Sequence, residues 1–185
     1  NQCWMKEGFR NSYNTYSKKG GVSAKEMRVE IPAYLPLMVN DLWLWTEDKD
    51  LLVKNFAMVK DCVDVCLSAP NDLFIINSDE TWIWPAFVNE LDYYFDSSMV
   101  MIAGIHAAEK TADLLNEQII KEKWNLLRMK WTNALHQNYR NSNEKRYAVG
   151  IDHNGLQDLS LIPSVISRPI LFGYTSQFDK DFVQQ

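Results

Sequence analysis

The segment Asn77-Ser78-Asp79-Glu80-Thr81-Trp82-Ile83-Trp84 sets two adjacent carboxyl groups beside two indoles. A carboxylic acid that stays protonated can donate its proton to the oxygen leaving a glycosidic bond. A flat indole offers a face on which a sugar ring stacks. Burial against Trp82 and Trp84 would favour the protonated form of Glu80 near neutrality. If the stretch is extended, the two indoles project to the same side. Hydrolysis with inversion also needs a second carboxylate, about 6.5–9.5 Å from the first, to activate water. The competing reading is that Asp79 and Glu80 cap or solvate a loop and that the indoles fill a wall of the fold.

Other candidates are scattered. Trp43 and Trp45 end a helical pattern, where either core packing or ring stacking fits. His153 sits in the turn-like Asp152-His153-Asn154-Gly155 and could touch a ligand. Asp158 reads as a helix cap when taken alone, and so do Asp92 and Asp96. His106 and His136 stand apart from any partner that would make a catalytic set. Cys62 and Cys66 lie four residues apart and share a helix face. A metal site would need two more ligands, so these read as buried structural thiols and no metal is expected. Nothing in the sequence calls for an organic cofactor.

Composition limits the partners. The net charge is -5, which argues against a nucleic-acid surface. Lys121, Lys123, Arg128 and Lys130 are spread along one helical pattern and read as a solvated face. No apolar run reaches the ~18 residues of a membrane span. The chain opens at Asn1 with neither an initiator Met nor a signal-like segment, and is expected to be part of a longer precursor. No Asn-x-Ser/Thr acceptor occurs, and the compartment is not indicated.

The elements that would position these residues are helical. Residues 1–30 read as a loop-rich lead-in, and residues 31–185 as the main unit. Pro32 suits the first turn of a helix that carries Tyr34, Leu35, Met38, Leu42 and Trp45 to Thr46. After a polar connection, a second helix runs from Asp50 to Leu67 on the stripe Leu52, Phe56, Val59, Val63 and Cys66. The β-like run Leu73-Phe74-Ile75-Ile76 then leads into the acidic segment. Asp96-Ser97-Ser98 signals the start of a helix to Asn116. Small residues crowd the middle of its apolar face, so another element must approach closely there. His106, Glu109, Lys110 and Asp113 fall on the opposite side. A fourth helix, Ile119 to Tyr139, carries Ile120, Trp124, Leu127, Trp131 and Leu135. An extended run from Arg146 to Ile151 follows, with a further helix expected over residues 158–172. The pattern is an αα-hairpin followed by a loop, repeated about every 65 residues.

These residues resemble the six-hairpin glycosidases, the (α/α)6 toroids typified by glucoamylase. The likeness runs from Ile31 to Tyr174. It is carried by Tyr34-x-Pro36-Leu37 through Trp43-x-Trp45-Thr46-Glu47-Asp48, by Ser78-Asp79-Glu80-Thr81-Trp82 with the Ala-rich helix from Ala103 to Leu115, and by Tyr147-Ala148 through Asp158-Leu159. The resemblance implies an all-α fold, part of an (α/α)6 toroid with short extended segments in its loops. It implies hydrolysis of a glycosidic bond, an α-glucoside among the candidates. Glu80 would be the general acid and Asp79 a supporting group, with Trp82, Trp84, Trp43, Asp158 and His153 around the sugar. The family's motif has two consecutive Glu residues, whereas Asp79 stands first here, and its general base lies in a later hairpin. The chain would therefore hold half of a catalytic pair and pack against the rest of its ring or a partner chain. The alternative is a helical-hairpin domain that binds carbohydrate or protein without catalysis.

Overall fold

The computed structural model describes residues 31–68, 93–144 and 146–160. Four α-helices dominate them, and the fold is all-α with short strands at one end. A single 3-10 turn, Ile31–Ala33, leads into α1, Tyr34–Thr46, and α2 follows as Lys49–Ser68. The strand β1, Tyr93–Tyr94, precedes α3, Phe95–Leu114, and α4, Gln118–Tyr139. Four two-residue strands close the described region: β2 Arg140–Asn141, β3 Arg146–Tyr147, β4 Gly150–Ile151 and β5 Gln157–Asp158.

The helix ends follow from local chemistry. Glu47 takes the left-handed conformation (φ 52°) and donates its N–H to the Trp43 carbonyl, which stops α1. Asp48 then starts α2, its Oδ1 accepting the N–H groups of Asp50 (3.0 Å) and Leu51 (3.3 Å). At the end of α3, Asn116 is left-handed (φ 61°). The Glu117 N–H reaches back to the Ala112 carbonyl and the Asn116 N–H to that of Asp113, the paired bonds of a Schellman stop. Helix α3 begins at Phe95, one residue before Asp96, and the Phe95 N–H donates to the Val149 carbonyl at 3.0 Å.

Helix α3 is the centre of the core. Val100, Met101, Ile102, Ala103, Ile105, Ala107, Ala108 and Ala112 are buried along it, and α1, α2 and α4 all pack on it. The close approach expected at its small residues is present. A Cβ added at Gly104 would lie 2.5 Å from the Ala33 carbonyl oxygen. The expected stripe of α2 is buried throughout, and Cys62 and Cys66 are free, buried thiols within it. Burial is the main reason that the Cys62 thiol is pushed up to about 12, with Asp61 adding to it.

Two expectations are corrected. Helix α1 is rotated from its predicted face: Leu35, Pro36, Val39 and Asn40 are buried, whereas Tyr34 and Trp45 are exposed. The basic face of α4 is not wholly solvated either. Arg128 is 4% exposed and forms a two-pronged pair with Glu109, itself 5% exposed and expected outside. Arg128 Nε–Glu109 Oε1 is 2.5 Å and Nη2–Oε2 is 3.1 Å, while Asn125 Nδ2 donates to Oε2 at 3.2 Å. An unpaired charge in such a place would be costly, so each partner requires the other.

The hairpins stand side by side and point the same way, which two contacts fix. Ala33 before α1 meets Gly104 in α3, and Phe56 of α2 meets Trp124 of α4 edge-on with centroids 6.2 Å apart. In the second hairpin Glu109 lies level with Arg128 and Asp113 with Lys121. The first hairpin folds about residues 47 and 48, so Ala33 lies level with Cys62. Advancing from Phe56 to Cys62 in α2 therefore matches advancing from Trp124 to Trp131 in α4. Both short turns are at one end of the molecule. The other end carries the last turn of α2, the start of α3, the end of α4 and the strands.

Candidate functional site

The strand-bearing end is built on the junction of α3 and α4. β1 pairs antiparallel with β4 (Tyr93 opposite Ile151, Tyr94 opposite Gly150), and β4 pairs with β5 (Gly150 opposite Asp158). A second ladder joins β2 to β3, with Arg140 opposite Tyr147. Between the ladders, the Ala148 N–H donates to the Tyr139 carbonyl and the Val149 N–H to that of Asp158, each at 2.8 Å. Gln157 ties the layers together: its Nε2 donates to the Asn138 carbonyl at 2.8 Å and its Oε1 accepts from Asn141 Nδ2 at 2.9 Å. Under this frame the Tyr147 ring stacks on Phe95 (5.1 Å, 16°), and Phe95 also meets Tyr139. The Tyr147 hydroxyl and His136 Nδ1 are 2.7 Å apart, so His136 is not the isolated residue that the sequence suggested.

The β4–β5 turn holds His153. Asp152 Oδ1 accepts the N–H groups of Leu156 (2.8 Å) and Asn154 (2.9 Å), and Gly155 takes φ 82° to close it. The Leu156 N–H is the main cause that holds the Asp152 carboxyl below its ordinary range. His153 is exposed there, its Nε2 3.0 Å from Asn154 Nδ2. Asp158 lies on β5 rather than at the head of a helix, and its Oδ1 accepts from Ser160 N (2.8 Å) and Oγ (2.6 Å). His153 and Asp158 are thus on one hairpin, His153 in its turn and Asp158 on β5.

Trp43 is elsewhere. It lies three residues before the end of α1 and is half-buried against the core. That is the short-turn end, roughly 30 Å along α3 from Phe95 at the usual rise per residue. One sugar-sized ligand cannot touch both Trp43 and the strand-bearing end. Asp79, Glu80, Trp82 and Trp84 lie outside the described residues, as do Asp92, the run Leu73–Ile76, residues 1–30 and the helix expected after residue 160. The residues flanking 69–92, Ser68 and Tyr93, are both at the strand-bearing end.

No family model and no curated protein sequence matches the chain. A solved structure does: a GH78-family rhamnosidase of Bacillus sp. GL1, with a TM-score of 0.69 at 10% identity. The described fold is similar to part of that rhamnosidase. The match covers 79% of this chain and only 16% of the rhamnosidase, so the chain spans a small part of that enzyme's length. At this identity the likeness concerns the fold alone, and nothing in it singles out the glucoamylase group. Among the described residues no cluster of His, Cys, Asp or Glu could hold a metal ion, and no helix is long and apolar enough to cross a membrane.

The sequence reading missed three features of this region: the Phe95–Tyr147–His136 cluster, the role of Gln157, and the buried pair farther down the hairpin. The first two depend on residues brought together by two-residue strands, which leave no periodic signal. The third had a signal. Arg128 shares the helical stripe of Trp124, Trp131 and Leu135 and so belongs on the inner face.

Proposed function

We propose that the chain is part of an (α/α)6 toroid in a glycoside hydrolase that cleaves a glycosidic bond with inversion. Glu80 is the proton donor, Asp79 its supporting neighbour, and Trp82 or Trp84 the platform for the sugar. The observation that carries this reading is the direction of the hairpins. Ser68 and Tyr93, which flank residues 69–92, are at the end where Asp158 and His153 also lie. The glycosidase-like fold supports the same class of chemistry. Trp43 is not included, given its distance from that end.

The general base and the rest of the ring come from outside these residues. The exposure of Tyr34, Leu44 and Trp45 on α1 supports packing against further hairpins of the same ring or a partner chain. If no opposing carboxylate exists there, the chain binds carbohydrate or protein without cleaving it.

The test uses the intact parent protein with a disaccharide, whose poor leaving group makes protonation necessary. An α-glucoside and an α-rhamnoside form the first pair of substrates. Glu80→Gln should lower turnover by about 10²–10⁴-fold, the usual contribution of a general acid. Undiminished hydrolysis by the variant removes Glu80 from this role. Binding without turnover by the parent establishes the non-catalytic alternative.

A further inference from the structure

The carboxamide of an asparagine is open to attack by the backbone nitrogen of the residue that follows it. The attack is easiest before glycine, which sets no Cβ in the way. The β4–β5 turn carries such a pair, Asn154-Gly155, and both residues are exposed. A Cβ added at Gly155 would meet nothing within 4 Å, so the space in which a ring must close is open. The Asn154 side chain is held through Nδ2, which is 3.5 Å from Asp152 Oδ2 and 3.0 Å from His153 Nε2. Both contacts are made by the nitrogen that would leave. The attacking Gly155 N–H donates to the Asp152 carbonyl at 3.0 Å. A single bond of this kind in an exposed turn opens at little cost. Asn141, before Ser142, is the contrast. It is half-buried and tied at both ends, Nδ2 donating to Gln157 Oε1 at 2.9 Å. Its Oδ1 accepts the N–H groups of Asn143 (3.1 Å) and Glu144 (3.0 Å).

We propose that Asn154 is a site of spontaneous deamidation, which sets a second carboxylate against Asp152 and loosens the β4–β5 turn. The Gly155 nitrogen bonds to Asn154 Cγ and the Cγ–Nδ2 bond breaks. The Gly155 proton leaves, by way of water, with the departing ammonia, and a five-membered imide remains. Water then opens the imide at either carbonyl, giving aspartate or isoaspartate, with no oxidant or reductant involved. In the native turn Asn154 Nδ2 faces the Asp152 carboxylate as a donor. In the aspartate product two carboxylates meet there and repel. The Leu156 N–H holds the Asp152 carboxyl below its ordinary range, so a proton does not relieve the repulsion near neutrality. The isoaspartate product adds a carbon to the backbone between β4 and β5, against the register that sets Ile151 opposite Gln157. This site does not depend on the glycosidase reading.

The whole 185-residue chain, incubated in mildly alkaline buffer at body temperature and digested with trypsin, tests it by mass spectrometry. Peptide 147–168 holds Asn154 as its one asparagine, and peptide 141–145 holds Asn141. Asn154 should convert to both aspartate and isoaspartate, several-fold faster than Asn141. In Asn154→Asp the Leu156 N–H, bonded at 2.8 Å to Asp152 Oδ1 in the native turn, should exchange several-fold faster with solvent deuterium. Exchange in α2 should stay as it is in the wild type. An Asn154 that stays intact in the native chain, or that yields aspartate with no isoaspartate, overturns the proposal. So does Leu156 exchange in Asn154→Asp at the wild-type rate.

Discussion

Replacing Gly104 by alanine sets two effects of opposite sign against each other. In the middle of a helix the change removes backbone freedom from the unfolded chain and should stabilise by about 1 kcal/mol. In α3 the new methyl would meet the Ala33 carbonyl oxygen at 2.5 Å and the Ala33 Cα and Cβ at 2.8 Å each. A carbon–oxygen contact of this kind ordinarily rests at about 3.3 Å or more, so the turn before α1 must retreat by about 0.8 Å. Two of the three obstructing atoms are backbone and cannot rotate away. A gap of that size also forfeits about a quarter to a half of each dispersion contact along the seam, including those of Leu35 and Val39. Overpacking of this kind costs about 1–3 kcal/mol, and the backbone obstruction puts Gly104 at the upper end. The net expectation is a loss of about 2 kcal/mol after the helix-propensity gain. Urea denaturation followed by tryptophan fluorescence measures it. Ala33→Gly in the same background removes one obstructing atom of the three and should restore only part of the loss. A Gly104→Ala protein that is as stable as the wild type, or more so, would refute the close approach of α1 to α3.

The remaining predictions concern buried groups. Arg128→Met alone should destabilise by about 3–5 kcal/mol because it strands the Glu109 carboxylate, whereas Glu109→Leu combined with Arg128→Met should recover most of that loss. Denaturation of the two single variants and the double variant gives the coupling between the residues, and additive losses would contradict the paired geometry. Cys62, pushed up to about 12, should carry about a thousandfold less thiolate at pH 8 than a thiol at the ordinary 9.0. Its peptide should stay unmodified by iodoacetamide in the native chain and react once urea unfolds it. Rapid native labelling at Cys62 would contradict its burial.

Much of the scaffold was legible because apolar residues at helical spacing have only one way to be buried. Leu52, Phe56, Val59, Val63 and Cys66 on α2, and Trp124, Trp131 and Leu135 on α4, went where their spacing sent them. Helix α1 did not, for a physical reason. It is apolar on two opposed faces, so periodicity locates the helix but cannot say which face meets α3. Glu109 was misplaced because its partner is nineteen positions away in sequence, beyond the reach of any local pattern. Asp158 was expected at the head of a helix and is on a strand, since a two-residue strand is set by backbone pairing with Gly150 rather than by side-chain type. The candidate site rests on residue types in Asp79, Glu80, Trp82 and Trp84, which lie outside the described residues. The other candidates divide between the two ends, with His153 and Asp158 on the strand-bearing end and Trp43 on the short-turn end, a separation that no local pattern carries.

The second face of α1 bears on what this unit requires. Tyr34 and Trp45 project away from α3, and Leu44 with them; Trp45 is 88% exposed. In arrays of stacked hairpins an outermost repeat carries a polar outer face, because nothing covers it. The exposed face of α1, built from an indole, a phenol and a leucine, departs from that pattern, in keeping with the proposed ring. The first hairpin already uses its inner face on the Gly104 side of α3, so a further hairpin of the proposed ring would come from the other side. Stacking in the same parallel sense would place each hairpin's long connection at the strand-bearing end and its short turn at the Trp45 end. A carboxylate opposing Glu80 across a ring would then have to come from a long connection of another hairpin. On the proposed reading, in which Glu80 works at the strand-bearing end, the short turns with Glu47 and Asp48 lie at the other end and do not supply it.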